Sequence, residues 1–144
     1  MTAPAKRSTP RAPTAATAKV VPLIPRLRAK WAGGIYAGRL GTYLLICGPL
    51  LVRPLDWSAA GRWAADLDIG GRGYRGWSLP TCAELAHLDA TFPKLFRREP
   101  YWSCEEQVDL PTDALVVHFG ASGLVSHWGK RHSCCAVSVR RILA

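Results

Sequence analysis

Trp77-Ser78-Leu79-Pro80-Thr81-Cys82-Ala83-Glu84-Leu85 reads as the start of a helix. Thr81 is placed to accept from a free backbone N–H of the first turn, and Glu84, three residues on, is placed to reach back and close a capping box. Pro80 fixes the approach of the chain, and Leu79 and Leu85 are spaced to clasp over the helix start as a hydrophobic staple. The helix then runs to about residue 89 or 90 with Leu85 and Leu88 inward, and Pro93 cannot extend it. Downstream, Tyr101-Trp102-Ser103 places two large aromatics at the head of a β-rich tail.

Upstream of the cap, residues 35–37 (Ile-Tyr-Ala) follow a Gly33-Gly34 turn as a short strand, and residues 42–47 form a continuous apolar strand suited to burial on both faces. Gly48-Pro49 is expected to turn that strand, with residues 50–52 continuing it. Asp56 or Ser58 caps a first helix to about Leu67, whose apolar face is Ala60, Trp63, Ala64 and Leu67. Trp63 on that face reads as core rather than as a ligand platform. Gly70-Gly71 ends the helix.

Downstream of residue 103, residues 105–112 are expected to be a polar connection, and residues 114–119 (Ala-Leu-Val-Val-His-Phe) are the strongest strand of the chain. Gly120-Ala121-Ser122-Gly123 turns it into a hairpin with residues 124–128. Residues 129–133 form a basic loop, and residues 134–142 close the chain as a strand. The order of elements predicts an α+β fold: two helices packed on a mostly antiparallel sheet.

At 144 residues, with 49% of them apolar, the chain supports one domain with a core of its own. Its net charge of +9 is unevenly spread. Residues 1–30 carry seven basic residues and no acid, whereas the remainder carries 12 basic and 10 acidic residues. That first stretch is a Pro/Ala-rich extended arm with five prolines and no aromatic, which denies it a core. It reads either as a solvated tail or as a docking arm ordered on an assembly partner. The residues for docking are Arg7, Arg11, Lys19, Val20, Val21, Leu23, Ile24, Arg26 and Arg28. Basic arms commonly meet nucleic acid. Here the charges are sparse and no aromatic is present for base stacking, so a nucleic-acid partner is not expected.

The five cysteines (Cys47, Cys82, Cys104, Cys134, Cys135) are odd in number, and no secretory signal precedes them. Reduced thiols in a cytosol-made protein are expected, with a link from Cys104 to Cys134 or Cys135 left open. No membrane insertion is expected, because the apolar residues 44–52 are too few to span a bilayer and are broken by Gly48-Pro49.

No catalytic constellation stands out, so the chain is read as a non-enzyme without cofactor or metal. Adjacent Cys134 and Cys135 on a strand face opposite ways and suit no common metal site. The acids Glu105, Glu106, Asp109 and Asp113 read as a solvated loop rather than a calcium site. Ligand binding is better placed at His127, Trp128, Lys130, Arg131 and His132, where an indole flanked by basic groups after a hairpin suits a sugar or an acidic protein surface. The plain alternative is that Trp128 covers a sheet edge while the charges solvate the loop.

A Trp-x-Leu-Pro-Thr-x-x-Glu-Leu segment, a Tyr-Trp-Ser element, a Phe-Gly turn and a closing Val-x-Val-Arg-Arg strand together resemble the Lcl-type C-terminal domain family. The positions that carry it are Trp77, Leu79, Pro80, Thr81, Glu84, Leu85, Tyr101, Trp102, Ser103, Phe119, Gly120 and residues 136–142. The opening residues 33–38 look like the start of the family's short phage and prophage members, so the resemblance covers residues 30–143. It implies a C-type-lectin-like fold for residues 31–144, with residues 1–30 as the arm, and pairing of the first strand (35–37) with the last (137–139). Trp102 is then a structural residue. Cys82, Cys104 and Ser138 depart from the family pattern and put any family disulfide in doubt.

The resemblance also implies a setting: a virion structural protein, assembled in the bacterial host cytoplasm, acting in capsid decoration, a tail or a fibre. Its partners would be other virion proteins or copies of itself, met through the arm. The alternative is a module that binds a host surface glycan or protein through the Trp128 loop.

Overall fold

The computed structural model describes residues 24–68 and 74–143. The strands are β1 (Lys30–Trp31), β2 (Gly34–Leu40), β3 (Tyr43–Leu55), β4 (Pro100–Gln107), β5 (Leu110–His118), β6 (Leu124–Gly129) and β7 (Cys134–Leu143); the helices are α1 (Trp57–Ala65) and α2 (Cys82–Thr91). All seven strands join one sheet in the order β1-β2-β3-β7-β4-β5-β6. Every pairing is antiparallel except β4 with β7, which are parallel and meet at the single register pair Tyr101↔Cys135. The expected α+β class, two helices on a mostly antiparallel sheet, is the one observed.

Beyond that parallel contact the sheet parts, and the chain before α2 fills the gap. Ser78 exchanges backbone hydrogen bonds with Val139 of β7 at 3.0 and 2.9 Å, and Cys104 of β4 donates to the Pro80 carbonyl at 2.8 Å. Residues 77–81 thus form a wedge that satisfies the backbone of both half-sheets, as buried peptide groups require.

Four sequence expectations are corrected. The strand at 35–37 does not pair with 137–139: β3 lies between them, with Ile35 opposite Cys47 and Cys47 opposite Val139. The cause is local, because Gly41 at φ 56° allows a two-residue turn between Leu40 and Tyr43, and that short hairpin takes the edge of β2. Gly48-Pro49 does not turn the chain. The register steps from Cys47↔Val139 to Leu50↔Val137, so one extra residue is accommodated as a bulge, where a proline without an N–H is tolerated. Residues 105–112 are not a loop, since β4 and β5 join through a turn at Val108-Asp109. The staple does not form either: Leu79 packs with Trp102 in one core cluster and Leu85 with Tyr101 in another.

Each helix covers one face of the sheet. Leu85 and Leu88 of α2 pack with Leu45, Val117, Val137 and Val139, beside a ring cluster in which Tyr101 and Phe119 lie 4.5 Å apart and Phe96 and Phe119 4.7 Å. Ala60 and Ala64 of α1 pack with Trp102, Val116 and Ala136 on the other face, and Trp63 is partly buried against them. Cys134 and Cys135 fall in these two different clusters, so they do face opposite ways. α1 starts at the Asp56 cap, whose carboxylate accepts from the Ala59 N–H at 2.8 Å, and ends at Ala65 rather than Leu67. α2 has the full capping box: Glu84 N–H donates to Thr81 Oγ1 at 3.1 Å, and Thr81 N–H donates to Glu84 Oε1 at 2.9 Å.

Candidate functional site

Two surfaces have the geometry to bind something, and the first is the one expected after the β5–β6 hairpin. A cavity of about 330 Å³ at the sheet edge is lined by His127, Trp128, Gly129 and His132. The Trp128 ring lies 6.1 Å from His118 and 5.9 Å from His132, and one side of it packs on the cluster under α1. Trp128 is therefore half-buried rather than fully presented. His127 Nδ1 is 2.7 Å from Asp113 Oδ2, and this contact holds the Asp113 carboxyl below its ordinary range.

Lys130 does not join that cavity. Its ammonium pairs with Glu106 and lies 4.6 Å over the Trp57 ring, while its carbonyl accepts from the Trp57 N–H at 3.0 Å. The basic loop is thus fastened to the start of α1. Arg131 and His132 remain exposed. Of the five residues expected to bind together, His127, Trp128 and His132 share a surface, Arg131 is exposed next to His132 in the chain, and Lys130 is engaged elsewhere.

The acids read as a solvated loop are engaged as well. Glu105 Oε2 accepts from the Cys82 N–H at 2.7 Å and so caps α2 a second time, from a distant strand. Among the described residues no group of three or more His, Cys, Asp or Glu side chains is placed to hold a metal ion. Cys47, Cys82, Cys104 and Cys134 are free thiols in this structure. Burial pushes the Cys47 and Cys134 thiols up to about 12, and it raises Cys104 too, so none is a ready nucleophile at neutral pH.

The second surface was not singled out in the sequence. A groove of about 470 Å³ runs between α1 and the wedge, lined by Trp57, Ser58, Gly61, Arg62, Ala65, Trp77, Ser78, Leu79 and Cys104. Its indoles are fixed: Trp57 Nε1 donates to the Ser103 carbonyl at 2.8 Å and Trp77 Nε1 to the Tyr74 carbonyl at 2.7 Å. The signal for it was the α1 face opposite Ala60 and Ala64, where the small residues Ser58, Gly61 and Ala65 leave room beside a tryptophan.

The signature residues of the cap hold the fold together beneath this groove. Glu84 has no exposed surface, and its carboxylate receives Arg141 at 2.6 and 2.7 Å and the Tyr43 hydroxyl at 2.5 Å. Arg141 also donates to Ser78 Oγ at 2.7 Å. Desolvation pushes the Glu84 carboxyl up, but Arg141, Tyr43 and the Thr81 N–H outweigh it and hold the group below the ordinary glutamate range. Trp102 is fully buried, and its Nε1 donates to the Leu55 carbonyl at 2.9 Å.

The arm residues Arg7, Arg11, Lys19, Val20, Val21 and Leu23 lie outside the described residues. Ile24 is exposed, whereas Arg28 is tied down: its N–H donates to the Tyr36 carbonyl at 2.8 Å and its guanidinium to the Thr91 carbonyl at 2.7 Å.

No protein-family model matches the chain, and no curated protein does.

Proposed function

We propose that this chain is a non-enzymatic structural protein of a phage virion, serving in capsid decoration, a tail or a fibre. In this reading an N-terminal arm anchors it and a C-type-lectin-like domain faces outward. The observation that carries the proposal is the separation of charge. Residues 1–30 hold seven basic residues and no acid, and the folded remainder is nearly neutral. A segment that cannot build a core, yet leaves the domain at the fixed point Arg28, is suited to ordering against a neighbour. The resemblance to the Lcl-type family supplies the lectin-like topology and the phage setting, and the parted sheet with its inserted wedge is compatible with that topology.

The test is mass spectrometry of purified particles combined with limited proteolysis. The expected result is a copy of the chain in mature particles, with residues 1–30 protected there and cleaved in the isolated protein. Particles without the chain sink the proposal.

A second reading is a glycan- or protein-binding module at the β6 edge, favoured by the cavity that joins His127, Trp128 and His132 beside the exposed Arg131. Because Trp128 also packs on the core, Arg131→Ala with His132→Ala is the cleaner probe. Loss of binding on a glycan array, at an unchanged melting temperature, supports this reading.

A further inference from the structure

We propose that the open edge of β6 pairs antiparallel with β6 of a second copy of this chain, about a two-fold axis between the two Ser126 residues. The pairing rests on neither functional reading above. It starts from the phase of the ladder. Lys130 N–H donates to the Thr112 carbonyl at 2.9 Å, one step beyond the register pair Asp113↔Gly129. Bonded and non-bonded pairs alternate in an antiparallel ladder, so Leu124, Ser126 and Trp128 are the β6 residues that bond to β5. Phe119 N–H donates to the Glu99 carbonyl at 3.2 Å on the β4 side, which fixes the same phase on β5. Val125 and His127 therefore direct their N–H and C=O groups at the open edge. The sheet ends at β6, and no other backbone bond among the described residues reaches Val125 or His127. β6 also lacks the charge, proline or bulge that commonly keeps an edge single.

That phase selects the register. Every open group finds a partner when Val125 of one copy lies opposite His127 of the other, which sets Ser126 against Ser126. Leu124 then lies opposite Trp128. Both residues are on the α1 face of the sheet, where Trp128 packs with Ala114 and Val116. Leu124 is 57% exposed in the single chain, and Trp128 borders a cavity of about 330 Å³ that can receive it. Aliphatic–aromatic pairs across neighbouring strands stabilise a sheet.

The occupant is a second copy because the edge complements itself in charge as well as in register. β6 holds no Lys, Arg, Asp or Glu, so its own image sets no like charges together. At each end, the basic turn at Lys130 and Arg131 of one copy meets the uncharged Gly120-Ala121-Ser122 turn of the other. There the Asp89 carboxylate accepts from the Gly120 N–H at 3.2 Å. Arg131 is exposed and takes part in no ion pair among the described residues, so it is available to that carboxylate. A strand of other sequence could take the backbone bonds alone. The Leu124–Trp128 and Arg131–Asp89 matches, each made twice by symmetry, belong to a second copy.

The experiment measures the molar mass of the full chain by light scattering across a concentration series. Wild type is expected to pass from the single-chain mass of 15.7 kDa to twice that value. Val125→Pro removes an outward N–H and leaves the bonds to β5 in place, so it is expected to stay at the single-chain mass with unchanged far-UV dichroism. Ser126→Asp and Ser126→Lys each set like charges on the axis and are expected to stay single, whereas a mixture of the two regains the doubled mass. Pairing with an unrelated strand gives no such rescue. A wild type that stays single at all concentrations overturns the proposal. So does association that survives Val125→Pro, and so does a mixture of the folded Ser126 variants that stays single. A readout on wild type needs no variant: amide exchange at Val125 and His127 should slow as the mass doubles, and unprotected amides in the doubled species overturn the proposal.

Discussion

Glu84 is a residue with two duties, capping α2 and receiving Arg141 from the last strand. Removing one member of a buried ion pair leaves the other uncompensated, so Glu84→Gln is expected to cost about 2–4 kcal/mol in urea unfolding. The sign of its pH dependence follows from a folded-state pKa below the unfolded one. The stabilisation is fully present above the unfolded value, near ~4.3, and is lost as pH falls through the folded value. Stability measured between neutral pH and pH 2 should therefore fall less in Glu84→Gln than in wild type. Gly48 is constrained differently: an added Cβ would lie 2.4 Å from Ser138 Oγ and from the Trp77 ring. Gly48→Ala is expected to cost about 1–3 kcal/mol, read as a lower melting temperature with loosened near-UV dichroism of Trp77. The cysteines give a further residue-scale test. Cys104 is exposed and Cys47 and Cys134 are buried, so alkylation of the native protein should label Cys104 first and reach the other two only on unfolding.

At the scale of elements, Thr81→Ala removes one half of the capping box but leaves the Glu105 bond to Cys82, so about 0.5–2 kcal/mol is expected, toward the lower end. The edges of the sheet differ. β1 is two residues long and opens on Lys30, whereas β6 is six residues, carries no Lys, Arg, Asp, Glu or Pro, and pairs with β5 without a bulge. An edge of that kind is open to pairing with other chains. Val125 is 46% exposed on it, and Val125→Lys is expected to slow aggregation on heating, measured by turbidity, with little change in the melting temperature. The legibility of the sequence also divides at this scale. The α2 start, the β5–β6 hairpin and the face of α1 were readable because caps, turn glycines and helical spacing are local signals. The Gly48-Pro49 bulge was misread as a turn because bulges and turns use the same residues, and only the partner strand decides between them. The strand order was misjudged because β3 is apolar on both faces and its alternation does not say which neighbours flank it.

Across the whole molecule, the candidate site was legible only in part. His127, Trp128 and His132 share a surface, as their closeness in sequence suggested. Lys130 leaves that surface because its partners, Glu106 and Trp57, come from two distant elements, which the sequence does not show. The Trp57–Trp77 groove joins residues twenty positions apart and leaves no contiguous trace.

The wedge at residues 77–81 bears on how the chain is made. β7 pairs with β3 and exchanges bonds with Ser78, and its Arg141 neutralises Glu84, so the final ten-residue strand completes contacts with segments emitted long before it. Loop closure over such separations must precede the contacts that reward it, which makes folding slow for the size of the chain. Until β7 docks, Leu45 of β3 and Leu85 and Leu88 of α2 lack Val137 and Val139, which share their core cluster. Docking of β7 is therefore expected to be the step that completes the native sheet, whichever element forms first.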